Sequence, residues 1–186
     1  MKLSWIIFAL MVVAQWAAPM TLIRKHEQVL TQGELVKFKC GAPDPFDPLR
    51  GRYLVIAVED PHATLPATPA FKGGETVFAS LKIGADGFAL FDTVYAAPPE
   101  SGLYLKCKLP SYLYDTDKRV RLEVPIERFY LNEAVAPEAD KWLAAAQRDR
   151  AQSATWVEVR LHAGTAVITD IKHDGKSVVE VIRNAR

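Results

Sequence analysis

The sequence predicts a mainly β (α+β) domain attached to one N-terminal transmembrane helix. Residues 3–23 carry no charge, residues 33–186 alternate apolar and polar residues over most of their length, and helix-forming residues cluster only near 137–151. Alternation with period two is typical of half-buried strands. We therefore expect an antiparallel β-sandwich or barrel-like domain with one helix near residues 137–151 and a C-terminal hairpin.

The N-terminal apolar run, Leu3 to Ile23, is long enough to cross a membrane. A helix rises about 1.5 Å per residue, and the hydrocarbon layer is about 30 Å thick. The alternative is a cleaved secretory signal, for which Lys2 supplies a basic start and Val12-Val13-Ala14 a passable cleavage site. Because the apolar run continues well past that site, the sequence favours an uncleaved signal anchor.

Gly33 is the expected end of the anchor helix, since glycine commonly follows the last helical turn. The boundary gives two units, an anchor and juxtamembrane helix over residues 1–32 and a β-rich domain over residues 33–186. Arg24 and Lys25 follow the span and only Lys2 precedes it, so a literal positive-inside count places the domain in the cytoplasm. Only residues 1–2 precede the span in this sequence, so the positive-inside rule has few charges to compare on that side.

Four strands are expected from apolar residues that share one face. These sets are Val36, Phe38 and Cys40; Val77, Ala79, Leu81 and Ile83; Leu103, Leu105, Cys107 and Leu109; and Val120, Leu122, Val124 and Ile126. Residues 52–59 are apolar on both faces, which favours a central strand. Residues 61–74 contain three prolines and two glycines, and they are interpreted as an exposed connection.

The C-terminal third begins with the expected helix. Pro137 suits a first helical turn, and acidic residues follow it there, as the helix dipole favours. Residues 156–162 and 165–172 alternate and are separated by Ala163-Gly164, which predicts a hairpin. His173-Asp174-Gly175 is a second turn, and residues 178–182 are interpreted as a last edge strand.

Charge and metal-ligand spacing exclude several function classes. The chain has 23 basic and 22 acidic residues, and only Lys2 of these precedes Arg24, so the part of the chain beyond Ile23 is formally neutral. No nucleic-acid partner is expected, because such binding needs a surplus of Lys and Arg. His26, His62, His162 and His173 are too far apart in sequence for a metal motif, and no phosphate-binding loop is present. We expect no cofactor and no metal.

Cys40 and Cys107 are the only two cysteines, and both lie on the apolar face of an expected strand. An even count in a translocated domain is typical of a disulfide, whereas two buried free thiols are the alternative. The sequence leaves both readings open. A bridge would close a loop long enough to stabilise the fold by about 3–4 kcal/mol.

No catalytic residues are recognisable in the sequence. A serine hydrolase needs a hydroxyl beside a base, and no serine lies between Thr31 and Ala79. The remaining serines lack a recognisable base motif. We therefore expect a protein that is not an enzyme. Two alternatives stay open, an envelope ligand-sensing or hydrolytic domain with an unrecognised pocket, and a purely structural envelope protein.

The Asp-Pro segment and the residues after Val124 carry a family resemblance. The shared positions are Pro43, Asp44, Pro45, Asp47, Leu49, Arg50, Gly51 and Tyr53, then 126–130, Glu133, Asp170 and 174–176. In this pattern the chain is similar to the GDYXXLXY family, although Arg52 replaces the acidic residue of the naming motif, Ile56 its leucine and Val58 its last tyrosine. The resemblance implies a membrane-anchored protein of the bacterial inner membrane, from a family that has no established biochemical activity.

The same resemblance implies an extracytoplasmic (periplasmic) domain and a multi-span membrane protein as partner, and it supplies no catalytic residues. We therefore expect an accessory or interaction protein that binds another membrane protein. The candidate docking loop is the proline-stiffened segment that carries Asp44, Asp47, Arg50 and Arg52. A stiff loop loses little entropy on binding. The alternative role of this loop is a rigid turn that leads Tyr53 into the core.

Overall fold

A computed structural model describes residues 2–41, 44–45, 53–67, 70–113, 118–130 and 155–184. The chain begins with one long helix, α1 (Lys2–Gln32), which contains Pro19. Within Leu3–Gln32 an 18-residue window reaches a mean hydropathy of 2.0, so by length and composition α1 is a candidate membrane span. Gly33 follows the helix directly, as the sequence predicts.

The rest of the described chain is mostly strand. The strands are β1 (Glu34–Lys39), β2 (Asp44–Pro45), β3 (Tyr53–Val55), β4 (His62–Thr64), β5 (Thr76–Ile83), β6 (Ala89–Tyr95), β7 (Tyr104–Lys108), β8 (Arg119–Arg121), β9 (Arg128–Tyr130), β10 (Thr155–His162), β11 (Thr165–His173) and β12 (Lys176–Ser177). A short helix, α2 (Val178–Asn184), follows β12. The strands form sheet I (β1-β10-β11-β12), sheet II (β7-β5-β6-β4-β8) and a small sheet (β2-β3-β9).

Sheet I is antiparallel and contains the expected C-terminal hairpin. Strand β10 pairs with β11 from Thr155↔His173 to His162↔Thr165, and β1 covers its other side. The connecting turn has positive φ at both Ala163 (46°) and Gly164 (73°), as the two-residue turns that match strand twist require. The register places His162 and His173 at opposite ends of the hairpin, so they cannot share a metal.

Sheet II is antiparallel except for one parallel contact between β4 and β6. Its two edges approach each other at an isolated bridge between Lys108, at the end of β7, and Glu123, just after β8. The bridge has two backbone hydrogen bonds of 3.2 and 2.9 Å. No continuous ladder extends it, so sheet II does not close into a barrel.

The core lies between sheets I and II. Phe38 of β1 stacks on Phe91 of β6, with ring centroids 5.5 Å apart. Both rings are buried, and the alternating residues of β1, β5, β7 and residues 120–126 surround them. The tip of the β5–β6 hairpin folds over the outer face of sheet I, where Lys39 bonds to Asp86 at 2.7 Å. The domain is therefore a sandwich, as the sequence alternation predicts.

Three expectations from the sequence are wrong. Residues 178–182 form α2 and not an edge strand, because the Ser177 hydroxyl accepts the Glu180 N–H and starts a helix. The connection 61–74 contains β4, whose Ala63 is fully buried between β6 and β8. Ile83 does not share the buried face of Val77, because it ends β5 beside the turn and is 52% exposed.

Residues 52–59 are a central strand only in part. Strand β3 covers Tyr53–Val55 and lies between β2 and β9 in the small sheet. Ile56, which follows it, is buried. The helix expected near residues 137–151 lies outside the described residues.

Candidate functional site

The junction between α1 and the β-domain is tightly packed at Gly33. The Gly33 N–H donates to the Val29 carbonyl at 2.9 Å, and Val29 itself is 1% exposed. A Cβ at Gly33 would overlap the Val29 carbonyl oxygen and lie 3.1 Å from the Leu161 nitrogen. Glycine therefore lets the last turn of α1 come directly against β10. We call Val29, Gly33, Arg160 and Leu161 the anchor joint.

Arg160 fixes the chain at the same junction. Its Nη1 donates to the Gly33 carbonyl at 2.9 Å, in a partly buried contact between residues far apart in sequence. A cation that bonds to a carbonyl at the end of a helix satisfies an orphan acceptor and interacts favourably with the helix dipole. The α1 helix also contacts β11. The anchor joint thus attaches α1 to the β10–β11 hairpin without a flexible linker.

The candidate docking loop is described only at Asp44. Asp44 lies in β2 and pairs with Val55 of β3. Asp47, Arg50 and Arg52 lie outside the described residues. The described residues on either side of them, Asp44–Pro45 and Tyr53–Val55, are antiparallel neighbours in the small sheet.

Two open grooves lie on either side of residues 123–127, and the first also includes the residues that follow β3. The first, of about 360 Å³, is lined by residues 56–58, Pro61, 121–124 and 126–128. The second, of about 350 Å³, is lined by Thr76, 106–108, 123–125 and Glu127. The exposed residues Glu123, Pro125 and Glu127 separate the two grooves. We call these three residues the acidic ridge.

Basic side chains line both grooves around the acidic ridge. Arg121 and Arg128 line the first groove, and Lys106 and Lys108 line the second. Ile56 and Val58, which hold the last two specified positions of the naming motif, lie in the first groove. The site has mixed charge and is open to solvent, which suits a protein surface better than an enclosed small ligand.

An ion-paired cluster at the start of β4 lies next to the first groove. The Asp60 carboxylate contacts His62 Nδ1 at 2.7 Å and Arg119 Nη2 at 3.2 Å. The hydrogen bond with His62 lowers the pKa of Asp60 below its ordinary value, and Arg119 contributes in the same direction. All three side chains are substantially exposed, so the cluster joins β4 to β8 at the surface.

Glu158 is a buried carboxylate on the outer face of sheet I. Its residue exposure is 8%, and its Oε1 lies 3.1 Å from Lys172 Nζ and 3.9 Å from Lys37 Nζ. The Trp156 indole N–H donates to the same oxygen at 3.3 Å. Lysine side chains from both neighbouring strands therefore contact Glu158. The Glu158 carboxylate links β10 to β1 and to β11.

Replacing Glu158 with glutamine is expected to lower the free energy of unfolding by about 1–2 kcal/mol. The amide removes the charge that two lysines share, and the loss is moderate because both lysines remain partly exposed. Guanidinium titration of the detergent-solubilised chain, followed by far-UV circular dichroism, measures the change. Glu123→Gln, on the exposed acidic ridge, is the control and should change stability by less than about 0.5 kcal/mol.

Cys40 and Cys107 are buried free thiols in the structure. Cys40 follows β1 in sheet I and Cys107 lies in β7 of sheet II, and both belong to the common core. Burial raises the pKa of each thiol to about 12, and for Cys40 the Glu59 carboxylate adds to the effect. The structure therefore has the free-thiol form, the second of the two alternatives that the sequence leaves open.

The folded chain should resist thiol labelling across the neutral and mildly alkaline range. Because the thiolate is the reactive form and both pKa values are about 12, labelling with a maleimide should stay slow from pH 7 to 9. Denaturation without reductant should then release two reactive thiols, counted by intact mass. Zero labels in the denatured, unreduced chain would instead show that Cys40 and Cys107 are paired in the isolated protein.

Among the described residues, no three His, Cys, Asp or Glu side chains are grouped so that they could hold a metal ion. Apart from Gly33, the residues of the anchor joint could not be predicted from local patterns, and neither could the burial of Glu158. Arg160 and Glu158 both lie on the polar face of an alternating strand, and side chains on that face are normally expected to be exposed to solvent. Only the pairing of β10 with β1 and β11 brings their partners to them.

Comparisons with known proteins give one match. A search of curated proteins found none, and a search of solved structures found none. The family model described as "GDYXXLXY protein" matches residues 15–171, which is most of the chain. The match includes the second half of the apolar helix, the motif strand β3 and almost all of the β10–β11 hairpin. The chain therefore belongs to the GDYXXLXY protein family.

Proposed function

We propose that this chain is an accessory protein that binds a multi-span membrane protein and holds its β-domain at a fixed position above the bilayer. We further propose that it resides in the bacterial inner membrane with the β-domain on the extracytoplasmic side. The observation that carries the proposal is the anchor joint. A domain that is tethered to search for substrates gains from a flexible linker, whereas this domain is packed directly on the end of its helix.

The geometry of α1 supports a defined height for the domain. If Leu3 to Ile23 span the hydrocarbon layer, residues 24–32 continue as helix for about 14 Å before Gly33. The anchor joint then transfers the tilt and rotation of the helix to sheet I. A fixed height and orientation are useful when the domain must meet one particular surface of a membrane partner.

The docking loop is the proposed contact surface on the β-domain. Asp44, Asp47, Arg50 and Arg52 offer two acidic and two basic groups, and the loop starts and ends on paired strands. Exposed charges contribute at most about 1 kcal/mol each to stability, so the loop can change without loss of the fold. The acidic ridge and its lysines are the competing surface.

Two matched variants test which surface binds. Replacing Asp44, Asp47, Arg50 and Arg52 with alanine should reduce recovery of the co-purifying membrane protein at least about tenfold, as loss of a contact worth 1.4 kcal/mol would. The control variant replaces Lys106, Lys108, Glu123 and Glu127 with alanine. It removes the same number of acidic and basic groups, and it should keep wild-type recovery of the membrane protein. If the loop variant keeps wild-type recovery, the docking role is wrong and the loop is a rigid turn.

A linker insertion tests the role of the anchor joint. Gly-Ser-Gly-Ser placed between Gln32 and Gly33 frees the β-domain from α1, and recovery of the partner should fall. The same insert between Glu100 and Ser101, in an exposed bend, is the control. Equal recovery with both inserts would show that the fixed position of the domain has no role in binding.

A further inference from the structure

Gln15 places an amide near the middle of the candidate membrane span. It lies two residues beyond the midpoint of Leu3–Ile23, which is about 3 Å along the helix axis. Its side chain is exposed on the helix surface, and no hydrogen bond to it is found among the described residues. By contrast, the Thr21 hydroxyl, farther along the span, donates to the Ala18 carbonyl at 2.7 Å. An amide at this depth has no water to bond with.

Pro19 adds a second unsatisfied group at the same level. In a helix each N–H donates to the carbonyl four residues earlier, and proline has no N–H. Pro19 lies inside α1, so the main-chain carbonyl of Gln15 loses its regular donor. Proline is tolerated in a membrane helix where a neighbouring helix or side chain satisfies the freed group. The amide and the freed carbonyl therefore belong to one residue.

The surface around Gln15 allows another helix to approach. Met11, Gln15, Ala18 and Leu22 follow the i, i+4, i+7, i+11 spacing of one helix face. Ala18 is small and lies one turn from Gln15, which lets two backbones come close, as small residues do in membrane helix pairs. Ala17 directly precedes Ala18, so its side chain lies about 100° from that of Ala18 around the helix axis and faces a different direction.

From this geometry we infer that α1 pairs with α1 of a second copy of this chain inside the bilayer, through the face of Met11, Gln15, Ala18 and Leu22. The hydrogen-bonding groups are self-complementary. Each copy supplies two amide N–H donors, and each offers the amide oxygen and the freed Gln15 carbonyl as acceptors. A two-fold axis brings the same patch of both copies together, so all of these groups find partners. The inference rests on the proposed function in requiring that α1 stays in the membrane.

Cysteine cross-linking of the full chain in membranes tests the pairing. Ala18→Cys and Ala17→Cys differ by one residue in depth and by a third of a turn in direction. Under copper–phenanthroline oxidation, Ala18→Cys should give a disulfide-linked dimer at least roughly fivefold faster than Ala17→Cys. The chain without an added cysteine measures the background from Cys40 and Cys107. Adding Gln15→Leu to Ala18→Cys should remove the difference, and Gln15→Asn, which keeps an amide, should preserve it.

The outcomes separate this inference from the proposed function. Equal cross-linking at positions 17 and 18, or cross-linking that Gln15→Leu leaves unchanged, overturns the dimer. A photo-cross-link from position 18 to a different membrane protein, without a dimer, also overturns it but leaves the accessory role standing. Loss of the chain from alkali-washed membranes would overturn both, because α1 would then not lie in the bilayer.

Discussion

Replacing Phe38 with alanine is expected to lower the free energy of unfolding by about 3–5 kcal/mol, enough to unfold a marginal domain. Phe38 is 1% exposed and stacks on Phe91, so it joins sheet I to sheet II at the centre of the core. Removing the Phe38 ring would leave a cavity between the two sheets, and the loss of stability is large where the surrounding structure does not relax to fill such a cavity. Guanidinium unfolding of the detergent-solubilised chain, followed by far-UV circular dichroism, measures the loss.

Leu35 on the same strand is the control for Phe38. Its side chain is 47% exposed on the opposite face of β1, so Leu35→Ala should cost less than about 1 kcal/mol. Similar losses for the two variants would mean that the packing of sheet I on sheet II through Phe38 does not hold the domain together.

Gly33→Ala is expected to open the anchor joint while the rest of the domain stays folded. The added Cβ would overlap the Val29 carbonyl oxygen and press on the Leu161 nitrogen, and neither main-chain atom can rotate away. Overpacking of this kind typically costs about 1–3 kcal/mol. Amide hydrogen exchange in the peptide 29–36 should therefore accelerate by roughly tenfold for each 1.4 kcal/mol lost.

Gly41→Ala is the matched control for the joint. A Cβ at Gly41 has no heavy atom within 4 Å, so amide hydrogen exchange in the peptide 29–36 should stay at the wild-type rate. If Gly33→Ala also leaves exchange in residues 29–36 unchanged, α1 is not packed on β10 as described. The β-domain would then not be held at a fixed position on α1.

Local patterns in the sequence predicted the elements that local chemistry decides. Gly33 ends α1, the alternation in Val36, Phe38 and Cys40 puts their side chains in the core, and Ala163-Gly164 makes the hairpin turn. In each case the deciding signal lies within a few residues of the feature. The family resemblance, carried by residues spread along the chain, is likewise confirmed by the match over residues 15–171.

Features that depend on distant partners could not be predicted in this way. Strand β4 is three residues in a proline-rich segment and exists because β6 and β8 flank it. The apolar residues of α2 resemble a strand, but the Ser177 cap and packing of Val178 in the core favour a helix. The bond from Arg160 to Gly33 joins residues 127 positions apart. No local periodicity reports such contacts.

The most direct test of this account is the intact mass of the chain recovered from alkali-washed membranes. If α1 is the uncleaved anchor that holds the β-domain, the pellet should contain a single species at the full-length mass of 20.7 kDa. Deletion of residues 1–25, which keeps Val29 and the anchor joint, should move the chain to the soluble fraction. A shorter wild-type species in the supernatant, beginning near Gln15, would show that the segment is a cleaved signal and would contradict the account.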